Sequence, residues 1–319
     1  MARETEVERV RLGASGQAVS ALGAGTWQWG DRNLWGYGKQ YAEAEVAAAY
    51  AASRAAGITF FDTAEVYGRG TSERLLGKLV SEDPAGGEVV VATKYAPLPY
   101  RLSARSINAA VAASLARLGR PRIDLYQVHW PYSLMRLETL MNALADQVEA
   151  GRIGAIGVSN YGAQRMRRAH ALLARRGVPL ASNQVHYSLL NRKVEHNGVL
   201  GACHELSVRL IAYSPLEQGL VTGKFHRAEA RPGRMRRLMS GINARRLRQT
   251  LPAVELLGRI GAAHGDKTEA QVALRWLIQR GALPIPGAKN AAQAEANAGA
   301  LGWQLTPEEM AALDALRVG

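Results

Sequence analysis

Four residues of this 319-residue chain, Asp62, Tyr67, Lys94 and His129, have types that together could deliver a proton to a carbonyl oxygen. A phenol has an ordinary pKa near 10, too high for efficient proton exchange at neutrality unless a nearby cation stabilises the phenolate. Lys94 is the candidate cation. Each pKa unit of depression requires about 1.4 kcal/mol, so its ammonium must be close and poorly solvated, and Asp62 would hold it there. His129 could donate a hydrogen bond to the substrate oxygen, aligning it and helping to share the proton. Each residue alone has an ordinary explanation: a loop cap, a packed ring, a local ion pair, a satisfied strand-end imidazole. Together the four types fit one mechanism of carbonyl acid catalysis.

Reduction also needs a hydride source beside the carbonyl, and a second set of residues suits a dinucleotide. Ser159, Asn160 and Gln184 offer donors and acceptors for a carboxamide such as that of nicotinamide, and Tyr213 offers an aromatic face. Ser214, Leu216, Gly219 and Lys224 follow closely, where backbone N–H groups and an ammonium could meet a pyrophosphate. Lys289, just past Gly287 and ahead of a helical stretch at Ala291, adds a cation and a helix N-terminus for a further phosphate. Singly, these small polar residues read as turn chemistry.

The elements that must carry these residues alternate. Strand-like runs occur at Leu22–Gly25, Ile58–Ala64, Glu88–Tyr95, Asp124–Trp130, Ala155–Asn160, Leu180–Tyr187, Val208–Pro215 and Ala282–Ala288. Helical spacing fills the intervals at Ala42–Ala56, Thr71–Glu82, Leu134–Ala150, Tyr161–Arg175, Glu195–Leu206, Lys267–Gln279 and Ala291–Leu301. Another helix runs from a Ser103 cap through Ile107, Val111, Leu115 and Leu118 to Gly119. Parallel strands need both faces covered, so eight such units predict a closed (β/α)8 barrel, an α/β fold in a single domain over residues 1–319. An open doubly wound sheet is the runner-up, but no G-x-G-x-x-G follows the first strand.

Val7–Leu12 and Gln17–Ala21 flank Gly13–Gly16 as a hairpin that would plug the barrel bottom, and Pro307–Val318 reads as a capping helix. Residues 219–250 form a long insertion after the seventh strand, and long ordered loops are usually functional. From Asp62 through Lys94, His129, Ser159 and Gln184 to Tyr213 the intervals are 32, 35, 30, 25 and 29 residues, each the length of one βα unit. The candidate residues therefore share the C-terminal rim, where such barrels do their chemistry.

Composition narrows the function class. Hydrophobic residues at 47% and charged ones at 21% are those of a globular protein rather than a disordered one. No apolar run approaches the length of a membrane span, and Met1–Val10 carries three glutamates where a signal peptide needs an apolar segment, so the cytoplasm is the expected location. Cys203 is the single cysteine, which excludes an intramolecular disulfide, and the histidines show no paired ligand spacing, so no metal is expected. A net charge of +13 favours phosphorylated small molecules, headgroups or nucleic acid. Much of it lies in a dense stretch, Arg227, Arg231, Arg234, Arg236, Arg237, Arg245, Arg246 and Arg248, read first as a solvated face, then as an anion-binding flap. No recognition motif or aromatic interleaving supports nucleic-acid binding.

The motifs, in their order, resemble those of the aldo-keto reductase superfamily over nearly the whole chain. They are Phe61-Asp62-Thr63-Ala64-Glu65-Val66-Tyr67-Gly68 with Ser72-Glu73; Ala92-Thr93-Lys94; Asp124-Leu125-Tyr126-Gln127-Val128-His129-Trp130-Pro131; Gly157-Val158-Ser159-Asn160; Asn183-Gln184-Val185; Ala212-Tyr213-Ser214-Pro215-Leu216; and Ile285-Pro286-Gly287-Ala288. The resemblance implies a (β/α)8 barrel binding NAD(P)H, with Tyr67 as general acid/base, Lys94 and Asp62 tuning it, and His129 orienting the substrate. It implies cofactor contacts from Ser159, Asn160, Gln184, Tyr213, Ser214, Leu216, Lys224, Gly287, Lys289, Gln293, Asn297 and, in the long loop, Arg234. Lys289 and Arg234 would then favour NADPH, with NADH possible but less favoured, and the insertion over residues 219–250 would be the flap that closes on the cofactor. Two positions depart from the pattern: Tyr132 follows His-Trp-Pro where many relatives have Asp, and Ala296 replaces a Glu before Asn297. The Ser-Pro-Leu motif, Gly223-Lys224 and the long loop are closer to the bacterial and potassium-channel β-subunit branches than to aldose reductase.

Trp27, Trp29, Tyr95 and Trp130, with Trp35 and Tyr132 nearby, are candidates for an apolar substrate pocket or for core packing. The expected activity is NADPH-dependent reduction of small-molecule aldehydes and ketones. A cofactor-binding regulatory subunit with slow turnover is the alternative, and the sequence names no oligomeric partner.

Overall fold

The structure is a computed structural model describing residues 7–13, 16–227 and 242–316. An antiparallel hairpin of β1 (Arg9–Arg11) and β2 (Ala18–Ser20) precedes an eight-stranded parallel sheet. Its strands are β3 (Ala24–Gly25), β4 (Phe60–Asp62), β5 (Val90–Tyr95), β6 (Ile123–Val128), β7 (Ile153–Ser159), β8 (Leu180–His186), β9 (Arg209–Tyr213) and β10 (Leu283–Pro284). Each pairs with its neighbours in chain order. The ring closes where the Gly23 N–H donates to the Pro284 carbonyl at 2.9 Å and the Gly25 N–H to Pro286 at 3.0 Å. The expected (β/α)8 barrel is the observed fold, and the open sheet is not.

Strand periodicity sorts the barrel into an inner and an outer layer. Phe60, Val90, Ala92, Leu125, Ile211, Leu283 and Ile285 point inward and pack with Leu12 and Val19 of the hairpin, which stops the barrel bottom as the sequence suggests. The intervening residues Phe61, Val91, Tyr126, Val128, Ile156, Val158 and Ala212 join the outer core beneath the helices. Two residues beyond an inward apolar side chain the next inward position falls at the upper rim: Asp62 after Phe60, Lys94 after Ala92, Tyr213 after Ile211, Gly287 after Ile285. One alternation thus builds both the plug and the site.

The covering helices are α1 (Glu43–Ala55), α2 (Thr71–Glu82), α3 (Ala104–Leu118), α4 (Leu137–Glu149), α5 (Ala163–Ala174), α6 (Lys193–His196), α7 (Val199–Glu205), α8 (Ala244–Ala263), α9 (Glu269–Gln279), α10 (Ala291–Ala298) and α11 (Pro307–Asp314). In α3 the apolar series is buried at Ile107, Val111 and Leu118, and Gly119 ends the helix at φ 62°, a conformation that favours glycine. Ser103 has the extended backbone of an N-cap, but its hydroxyl caps nothing.

Two sequence assignments need correction. The helix expected over Glu195–Leu206 is split into α6 and α7, because Gly198 adopts φ 81° between them. The insertion read as loop over residues 219–250 begins within a 3-10 turn at Glu217–Thr222, and its end is already helical, since α8 begins at Ala244. Asn243 caps α8 by accepting from the Arg246 N–H at 2.9 Å, and Ala253, Val254, Leu257 and Ile260 form its buried stripe. Pro252 lies inside α8 and interrupts the pattern that would have revealed it. Arg231, Arg234, Arg236 and Arg237 lie outside the described residues. Among the described residues no helix is long and apolar enough to cross a membrane.

Candidate active site

Asp62, at the end of β4, is the hub of a buried network. Its carboxylate accepts from the Lys94 ammonium on one oxygen, and from Gln127 Nε2 at 3.0 Å and Gln184 Nε2 at 2.8 Å on the other. Lys94, fully buried, also donates to the Thr63 carbonyl at 2.8 Å. Tyr67 reaches this pair from a turn rather than a strand. Gly68, Arg69 and Gly70 have φ of 54°, 55° and 83°, reversing the chain into α2. The turn is fastened to the end of β5 by Glu65, whose Oε1 accepts from the Ala96 N–H and from Arg101, both at 2.5 Å. The result sets the Lys94 ammonium 5.0 Å from the centre of the Tyr67 ring. His129 meets that ring edge-on, centroids 5.7 Å apart, and lies flat on Trp130 at 3.9 Å.

Electrostatics correct one expectation. Burial, and next the Asp62 carboxylate, push the Tyr67 phenol well above its ordinary value, not below it. Burial also pulls Lys94 downward, against the Asp62 carboxylate that holds its charge. Tyr67 therefore keeps its proton at neutral pH. His129 falls to about 2, through burial and then the Lys94 charge, so it is a neutral imidazole able to donate but not a charged acid.

Gln127 is a member of the network that the sequence does not single out, although it sits two positions before His129 and so shares its strand face. Its path across the barrel needs Gly157: a Cβ there would stand 2.3 Å from Ser182 Oγ and 2.8 Å from Gln127 Cγ.

Above the network a groove of about 720 Å³ opens along the rim. Asp62, Tyr67 and His129 form part of its wall, while Lys94 lies beneath it. Ser159, Asn160, Gln184, Tyr213, Ser214, Leu216, Lys224, Gly287, Lys289, Gln293 and Asn297 are all among its lining. Their bonds refine their parts. Gln184 Nε2 donates to Asp62 at 2.8 Å, and Ser159 Oγ donates to the Gln184 carbonyl at 2.9 Å. Asn160, at φ 60°, accepts from the Tyr213 hydroxyl at 3.1 Å. Lys289 Nζ donates to the Trp35 carbonyl at 2.9 Å and lies 4.7 Å from the Tyr41 ring centre. Arg234 falls outside the described residues.

Two further groove residues carry charge, Glu269 and Arg227, the latter the first of the arginine stretch read from the sequence. Arg227 bridges to Glu269 at 2.6 Å, and both face the groove.

Of the four candidate pocket aromatics, Trp27 and Trp130 line the groove. Trp29 and Tyr95 do not: Trp29 is buried against Phe61 and donates to the Ala288 carbonyl at 2.9 Å, and Tyr95 is wholly buried beneath Arg101. Strand-end alternation turns Tyr95 outward, opposite Lys94.

Residues 21–318 match the model of the aldo/keto reductase family. The chain belongs to that family. This aldo/keto reductase is 39% identical over 322 residues to the chloroplastic pyridoxal reductase of Arabidopsis thaliana, covering 96% of this chain and 85% of that one. It is 43% identical over 305 residues to an uncharacterized oxidoreductase of Mycobacterium tuberculosis, covering 94% and 90%. Its fold is similar to that of an aldo/keto reductase from Klebsiella pneumoniae solved with NADP and acetate, at TM-score 0.77, 29% identity and 97% and 95% coverage. A thermostable aldo-keto reductase solved with the inhibitor epalrestat gives TM-score 0.75 at 28% identity, covering 97% and 99%.

Proposed function

We propose that this aldo/keto reductase is an NADPH-dependent reductase of aldehydes and ketones, with Tyr67 donating the proton that completes the alcohol. The observation that carries this reading is the buried Asp62–Lys94 pair beneath Tyr67, at the floor of a groove whose remaining length is lined by amides, hydroxyls and cations.

The residues fit a dinucleotide. Gln28 Oε1, in the groove wall, is buried with no partner among the described residues, an acceptor that a ligand amide would satisfy. Tyr213 presents a ring and Ser159–Asn160 a polar edge, and Lys224, Arg227 and Lys289 add positive charge to the same groove. A reduced nicotinamide bound in this groove would supply the hydride to the carbonyl carbon.

The chain's own residues do the rest. His129, neutral, donates to the carbonyl oxygen and fixes its direction. Tyr67, protonated at working pH, gives its proton to that oxygen as negative charge develops there. The Lys94 ammonium then stands beside the phenolate left behind, where it is worth most. Gln127 and Gln184 keep the Asp62 carboxylate from turning away from Lys94.

The substrate side, formed by Trp27, Val66 and Trp130, is apolar, suiting an uncharged aldehyde or ketone. The name of the Arabidopsis relative places pyridoxal in the first panel. The test is loss of NADPH absorbance against a carbonyl library, repeated with NADH. Turnover with NADPH and a weaker response with NADH is expected; no turnover with any carbonyl at saturating NADPH would remove the proposal.

A further inference from the structure

Behind the groove lies a second polar cluster that the proposed chemistry does not use. Glu217, four residues past Tyr213, is buried, and its Oε1 meets His186 Nε2 and Ser188 Oγ at 2.6 Å each, while its Oε2 lies 3.4 Å from Arg246. The other nitrogen of His186 is 2.7 Å from Asn191 Nδ2. Both ring nitrogens are thus held, and the imidazole cannot tilt without breaking a bond. His186 and Tyr213 are paired in register at the ends of β8 and β9, and their rings stack at 5.4 Å and 17°. The far end of Tyr213 is tied to Asn160 through its hydroxyl.

We infer that Glu217 and His186 are positioning residues: they fix the pose of Tyr213, and through it the face on which the nicotinamide would lie. This rests on the cofactor reading above. Burying a carboxylate is costly unless it is paired and hydrogen-bonded. A pair of apolar side chains would fill the same space without that cost. Here the chain also places Glu217 and Gln218 at φ of 48° and 54°, a conformation L-residues rarely adopt, to bring the carboxylate back under the imidazole. Burial raises the carboxyl pKa, but the bonds from His186 and Ser188 and the Arg246 charge outweigh it, so the group stays ionised and keeps accepting. The arrangement secures a ring that a nearby aromatic stack alone would leave free to rotate.

The test uses the full chain, three single variants and a Tyr213→Leu background. Glu217→Ala removes the acceptor. His186→Phe keeps a ring against Tyr213 but loses both bonds. Glu217→Gln still accepts from His186 and Ser188. Crystal structures without cofactor should show the Tyr213 ring rotated off Asn160 in the first two and unmoved in the third. Fluorescence titration should raise the NADPH dissociation constant roughly tenfold for the first two and leave it nearly unchanged for Glu217→Gln. The carbonyl KM should stay near the parent value. In a Tyr213→Leu background, His186→Phe should add almost nothing, since its effect runs through the ring. An unmoved Tyr213, or an equal effect of His186→Phe with and without Tyr213, would overturn the inference. A parent protein that binds no NADPH would instead remove the cofactor reading, and the ring pose would still decide the positioning role. Should Glu217→Ala fail to fold, His186→Phe against Glu217→Gln makes the same comparison.

Discussion

The Lys94 ammonium stands 5.0 Å from the centre of the Tyr67 ring while bonded to Asp62 beneath it. The two residues come from different elements, a strand end and a turn, so their proximity belongs to the fold and not to local sequence.

Loss of the phenol and loss of the cation should therefore differ in kind. Tyr67→Phe removes only the proton donor, and turnover is expected to fall by about 10²–10⁴-fold with NADPH affinity and melting temperature close to the parent. Lys94→Met also leaves Asp62 buried with an uncompensated charge, a destabilisation of about 3–5 kcal/mol. Adding Asp62→Asn to Lys94→Met should regain part of that loss without regaining activity. Urea unfolding and steady-state kinetics on the four proteins check both points; a Lys94→Met protein as stable as Tyr67→Phe would mean the pair is not the buried charge balance described.

Gly157 offers a purely steric test of the network. A methyl there meets Ser182 Oγ at 2.3 Å and Gln127 Cγ at 2.8 Å. Gly157→Ala should push Gln127 off Asp62 and cost about 1–3 kcal/mol by overpacking. Removing the nearer obstacle with Ser182→Ala in the same protein should recover part of the stability. Differential scanning calorimetry decides it, and a Gly157→Ala protein that melts with the parent would show that Gln127 has room the structure does not give it.

The barrel was legible because parallel strands buried on both faces leave near-continuous apolar runs, and because inward alternation puts Asp62, Lys94 and Tyr213 one step above Phe60, Ala92 and Ile211. The motifs carried the four proton-handling candidates. What the sequence hides depends on side chains crossing the ring. Gln127 is one residue within a longer motif, with nothing to say that it reaches Asp62. Glu217 and His186, 31 residues apart, meet only because β8 and β9 are neighbours. Trp29 and Tyr95 mislead for the opposite reason: near the rim, one position decides between groove and core. The direction of the Tyr67 shift comes first from burial of the phenol and then from the Asp62 carboxylate, and spacing alone reveals neither.

His129 should make the fold acid-sensitive. Unfolded, it takes up a proton near its ordinary 6.5; folded, it resists down to about 2. Above pH 6.5 the group is neutral in both states and adds no pH dependence. Below it the unfolded chain binds the extra proton, and stability falls by about 1.4 kcal/mol per pH unit. Between about pH 6.5 and 5 the loss from this residue is about 2 kcal/mol. His129→Gln should flatten that part of the stability profile measured by urea unfolding, and an unchanged slope would mean that the imidazole is solvated enough to ionise.

Lys289 tests the phosphate preference under a constraint the structure adds. Its ammonium already donates to the Trp35 carbonyl and lies over the Trp35 and Tyr41 rings. Its stem therefore packs as well as carrying charge, and Lys289→Ala would confuse the two effects. Lys289→Met keeps an unbranched apolar stem and removes the ammonium, with its charge and its bond to the Trp35 carbonyl. If the lysine serves the extra phosphate of NADPH, the dissociation constant for NADPH should rise about tenfold or more, as for one charge-assisted hydrogen bond, while that for NADH moves less than about twofold. Titrations at two ionic strengths sharpen the comparison, because the parent's advantage for NADPH should shrink with salt and the residual preference of the Lys289→Met protein should respond less. Equal weakening toward both cofactors would assign Lys289 to holding the Trp35 segment against the groove, and the preference would have to come from elsewhere in the chain.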